Sequence, residues 1–183
     1  MRRALRRLAA LAALPLALAT AADAPAAAAD ELELRVKAAF LFNFAKFTTW
    51  PTAKVAAPDA PLYLCVQGSS AMGGVLQETV RGRAIEGHAI EVLAAMRAEE
   101  LRDCHVVYVG AAGDAGIAAE LDALVSHGVL SVHEASTTQS AGVIRFFLSD
   151  GGRVRFEVNV TAASREQLVL SAKLLEVSQV VTR

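Results

Sequence analysis

A chain of 183 residues fits one domain better than two. Its 18 Lys and Arg balance 19 Asp and Glu. The basic residues are scattered rather than gathered into a stripe, which argues against a nucleic-acid or other polyanion partner. Apolar residues make up 54% of the sequence, and part of that excess lies at the N-terminus.

Residues 1–29 run as a basic head (Arg2, Arg3, Arg6, Arg7), an apolar stretch from Leu8 to about Ala19, and then small residues rich in alanine. That order is the layout of a secretory signal. The apolar stretch falls short of the roughly 20 residues a membrane span needs, and Pro15 interrupts it. An A-x-A cleavage pattern fits after Ala21 and again after Ala29, and the acidic segment that begins at Asp30 favours the later site. An uncleaved anchor helix is the rival reading. The expected division is therefore a signal peptide over 1–29 and a domain over 30–183. That domain keeps 14 Lys and Arg against 18 Asp and Glu.

From Glu31 to Thr49 the pattern is helical, with Val36, Phe40, Phe44 and Phe47 along one face. Pro51 disfavours helical geometry at Trp50 and should stop the helix there. Leu62 to Gln67 reads as a buried strand, Ala71 to Val80 as a helix weakened by Gly73 and Gly74, and His88 to Leu93 as a strand. Ala94 to Arg102 reads as a short helix and Cys104 to Val109 as a second apolar strand. A helix marked by Ile117, Leu121, Leu124 and Val125 should end at Gly128, before a strand over Val129 to His133. Val143 to Leu148 and Arg153 to Val160 form a hairpin across Ser149-Asp150-Gly151-Gly152, whose glycines supply the positive φ that a tight turn requires. Thr161 or Ser164 should then cap a final helix reaching about Val181, with Ser164 and Gln167 at capping-box spacing. Strands alternating with helices predict a mostly parallel sheet covered on both faces, closed by an antiparallel hairpin.

Motifs for chemistry are absent. The glycines from Gly68 to Gly73 are not followed by the Lys and Ser/Thr of a phosphate-binding loop, and no G-x-G-x-x-G fingerprint occurs. Ser69 and Ser70 do not sit in a G-x-S-x-G elbow. His88, His105, His127 and His133 never fall at zinc-ligand spacing. No catalytic residue, metal or cofactor is therefore expected. Cys65 and Cys104 are the two cysteines; an exported chain with an even count suggests a disulfide, the alternative being two buried thiols. Phe40, Phe42, Phe44, Phe47 and Trp50 form the densest aromatic group. Phe42 points away from the main apolar face, and surplus apolar surface of that kind covers either core or a partner.

The segments Val36 to Pro51 (VKAAFLFNFAKFTTWP), Leu62 to Val66, Gly82-Arg83, Cys104 to Val109, and Arg153 to Leu175 resemble, in order, the YfiR family of periplasmic proteins. That resemblance implies a single-domain, Rossmann-like, three-layer α/β sandwich that works as a dimer. It also implies a periplasmic repressor of an inner-membrane diguanylate cyclase, which lowers cyclic-di-GMP signalling and biofilm formation. Cys65 and Cys104 match a bridged pair of the family, whereas a second pair found in some members has no counterpart. The segment His133 to Gly142 departs from the commoner pattern. Phe42 and the segment carrying Leu168, Leu170, Leu174 and Leu175 are the expected partner contacts. A small-ligand sensor serving another membrane receptor or transport system is the competing reading.

Overall fold

The computed structural model describes residues 24–55, 57, 59–94, 97–110, 126–135 and 142–181. The expected helix through Ile117 and Val125 lies outside them, as does most of the segment between His133 and Gly142. Helix α1 (Ala24–Lys46) opens the fold, with Pro25 in its first turn, where its missing N–H costs nothing. The helix begins ahead of the later A-x-A site. Strand β1 (Thr48–Thr49) follows at once, and then β2 (Leu62–Gln67), α2 (Ser70–Val80), β3 (Ala84–Ile85) and β4 (His88–Ala94). A 3₁₀ turn (Ala98–Asp103) leads into β5 (Val106–Val109) and, further on, β6 (Leu130–Glu134). Strands β7 (Ile144–Leu148) and β8 (Val154–Asn159) form the hairpin.

With the last strand, β10 (Gln179–Val181), at one edge, the main sheet has the order β10-β8-β7-β6-β5-β2-β4-β3. Pairing is parallel from β7 through β6, β5 and β2 to β4, and antiparallel in the β7–β8 hairpin. Period-two alternation sorts the strand side chains between two cores. Leu62, Leu64 and Val66 of β2, Val106 and Tyr108 of β5, and Leu130 and Val132 of β6 face α1 and α2 in the larger core. Cys65, Val107 and Val109 point the other way, joining Leu101, Cys104 and Val129. The molecule is the expected three-layer α/β sandwich. Among the described residues no helix is long and apolar enough to cross a membrane.

Two expectations are corrected. The buried stripe of α1 is Lys37, Ala38, Leu41, Phe44 and Ala45, whereas Phe40 and Phe47 are only partly buried. Small residues on that stripe let the helix lie close to the sheet, and Phe40 and Phe44 still reach Phe156 (ring centroids 5.3 and 4.8 Å).

The final helix is the second correction, because the segment breaks into four pieces. These are α3 (Val160–Arg165), β9 (Val169–Leu170), α4 (Ala172–Glu176) and β10 (Gln179–Val181). Asn159, not Thr161 or Ser164, caps α3 by accepting the Ala162 N–H at 3.0 Å. At the other end Leu168 N–H reaches Ala163 C=O (2.9 Å) and Gln167 N–H reaches Ser164 C=O (3.0 Å). With Gln167 at φ 57°, this is a Schellman stop. The chain then pairs antiparallel with β1, Thr48 opposite Leu170 and Thr49 opposite Val169.

Candidate functional site

Cys65 and Cys104 are bridged, with Cα atoms 6.0 Å apart. The bond ties β2 to the residues leading into the adjacent β5 and lies fully inside the smaller core. Of the expected partner contacts, Leu168 and Leu174 are core residues at 6% and 3% exposure. Phe42, Leu170 and Leu175 are half-buried and packed against that core. The Arg83 guanidinium stacks over the Phe42 ring at 4.9 Å. Among the described residues, the large apolar side chains that this C-terminal segment exposes are Val169 and Val177. A charged substitution at Leu168 or Leu174 would thus disturb folding before it reported on any partner.

In parallel α/β sheets ligands usually sit beyond the C-terminal ends of the strands, where the strand order reverses. Here that point lies between β2 and β5, and the loops meet: Gly110 N–H donates to Gln67 C=O at 2.9 Å. A Cβ on Gly110 would come within 3.1 Å of both the Gly68 carbonyl oxygen and Ser69 Cβ. Ser69 itself is spent on capping α2, its hydroxyl accepting the Met72 N–H. One strand further along, Lys37 on α1 reaches Glu134 at the end of β6 with distances of 2.8 and 2.9 Å, and also pairs with Glu33. Tyr108 donates to the same Glu134 carboxylate. Burial disfavours the Lys37 charge, but the bonds to Glu134 and Glu33 outweigh it and hold the pKa above the ordinary lysine value. Burial, reinforced by the Glu134 charge, pushes the Tyr108 phenol well above its usual range. The cluster is a closed clamp of α1 on the sheet, with its charges turned toward one another.

An open cleft of about 580 Å³ lies at the opposite end, over the N-terminal ends of β2 and β5. Its walls come from the turn after α1 (Pro51, Lys54), the lead-ins to β2 and β5 (Pro61, Tyr63, Arg102, His105), and Gln167 of the Schellman stop. His105 is fixed from several sides. Its backbone N–H donates to Tyr63 C=O, and its Nδ1 accepts the Tyr63 N–H at 3.0 Å, which leaves the ring proton on Nε2. Trp50 stands edge-on to the imidazole at 5.7 Å. Burial, with the Lys54 charge beside it, lowers the His105 pKa to about 4, so the ring is neutral at ordinary pH.

Lys54 donates to the Arg102 carbonyl oxygen. Burial lowers its pKa even though Asp103 and Glu166 act in the opposite sense. Glu166 is itself occupied, accepting the His127 and Val129 N–H groups at 3.1 and 3.2 Å. No sequence motif joins the cleft residues, since they come from five separated segments. Among the described residues no group of His, Cys, Asp and Glu converges on a metal-sized site.

Compared with known protein families, residues 34–179 match the domain-of-unknown-function family described as YfiR/HmsC-like. No curated protein matches the chain. The matched region runs from within α1 to the start of β10, so it takes in both bridged cysteines, Lys37 with Tyr108 and Glu134, and the whole cleft. On a match over most of its length, the chain belongs to the YfiR/HmsC-like family.

Proposed function

We propose that this protein is an exported regulator that binds the periplasmic sensor part of an inner-membrane diguanylate cyclase and holds the cyclase inactive. The observation that carries the reading is the family match across 34–179. The signal-like layout of residues 1–29 and the Cys65–Cys104 bridge support export to an oxidising compartment. The protein acts by surface complementarity, as a homodimer and without a reaction of its own. A signal relieves repression by changing its affinity for the two states of the cyclase, and it can shift them only as far as its preference between them allows.

The test is a pull-down from solubilised membranes with the full chain, joined to a cyclic-di-GMP assay in cells lacking the protein. Capture of a membrane protein with a cyclase domain, and a rise in cyclic-di-GMP on deletion, is the expected pair of results. Capture of a different receptor, with cyclic-di-GMP unchanged, would replace the cyclase in this reading.

A further inference from the structure

We infer that the cleft between the turn after α1 and the N-terminal ends of β2 and β5 is a binding site for a small organic carboxylate. The inference stands apart from the cyclase reading, because it concerns what the isolated protein binds.

The first ground is charge. Lys54 and Arg102 both line the cleft, and among the described residues neither makes an ion pair. The Lys54 ammonium has three donors and spends one on the Arg102 carbonyl oxygen. Among the described residues Asp103 is the one acid on the lining, and Glu166 nearby accepts from two backbone N–H groups. A half-buried ammonium with donors to spare and no bonded carboxylate gains a charge-assisted hydrogen bond when an anion enters.

The second ground is shape. Pro51, Pro61, Ala60 and the Tyr63 side chain give the cleft apolar walls beside those cations. Such a lining suits an organic body carrying one anionic end better than a bare, fully hydrated ion.

The third ground is rigidity. One wall of the cleft carries His105, which is held by two Tyr63 backbone groups and backed by Trp50, so that wall is preformed.

The chain's single tryptophan, Trp50, stands against His105 and serves as an internal reporter. The experiment titrates the purified protein with benzoate, following Trp50 fluorescence and, in parallel, heat by calorimetry. Benzamide, of the same shape without the charge, and inorganic phosphate, a bare ion, are the comparison probes. Saturable binding of benzoate, with little from benzamide, is the expected result. Lys54→Met, which keeps the apolar stem, should weaken benzoate by about tenfold or more, the value of one charge-assisted bond. Arg102→Gln, at an exposed position whose side chain makes no ion pair among the described residues, should weaken it in the same direction and guards against misfolding of the first variant. No saturable signal from benzoate, or equal affinity in both variants, overturns the site. Phosphate binding as tightly as benzoate overturns the carboxylate assignment, since the cleft would then respond to charge alone.

Discussion

His105 is a residue whose surroundings decide its chemistry. An imidazole that accepts the Tyr63 N–H through Nδ1 and faces Trp50 cannot take a second proton without cost. Its folded pKa of about 4 lies below the ordinary value of 6.5. The depressed value means that the unfolded chain binds the extra proton first, so the stability contribution is complete above pH 6.5 and is lost as pH falls toward 4. The shift corresponds to about 3 kcal/mol. Denaturant titrations at a series of pH values should show this loss in the native protein and a flatter profile in His105→Asn, whose amide can still accept the Tyr63 N–H. Parallel profiles would mean that groups other than His105 govern the acid limb. Lys37 shows the opposite logic. Its charge is kept by two carboxylates, which tie α1 to the end of β6.

At the scale of elements, the legible parts were those whose pattern is local. Strands β2, β5 and β8 are short apolar or alternating runs with turn residues at their ends, and each lies where the sequence places it. The hairpin turn needed positive φ, and Gly152 supplies it at φ 66°. The C-terminal segment was not legible because its stop signal is disguised. A Schellman stop ordinarily carries Gly or Asn at the left-handed position, and here Gln167 occupies it. Ser164 and Gln167 also match a capping box that tertiary pairing of β9 with β1 overrides. Replacing Gln167 with Gly should remove the left-handed strain and raise stability by about 1 kcal/mol, read from the urea midpoint. A fall in the midpoint would show that the Gln167 side chain contributes more than its backbone costs.

For the whole molecule, the two-cysteine count pointed to the bridge, but the cleft was invisible in the sequence. Its walls come from chain positions 51, 63, 102, 105 and 167, which only the parallel sheet and the β1–β9 ribbon bring together. Spacing along a chain carries no trace of such an assembly. The bridge also matters to global stability: it closes a loop of 39 residues holding α2, β3, β4 and the 3₁₀ turn. Cys65→Ser together with Cys104→Ser should lose about 4 kcal/mol on the loop-entropy account, measured by chemical denaturation against the oxidised protein. A loss of well under half that amount would mean that the unfolded chain is already compact without it.

Because that covalent tie spans adjacent strands, the Glu86–Gly87 turn, with φ of 51° and 90°, sits on a closed ring of polypeptide. A protease cutting there once would open the ring and yet liberate nothing. The nicked species would keep its full mass on a non-reducing gel and fall into two fragments only after a thiol reductant was added.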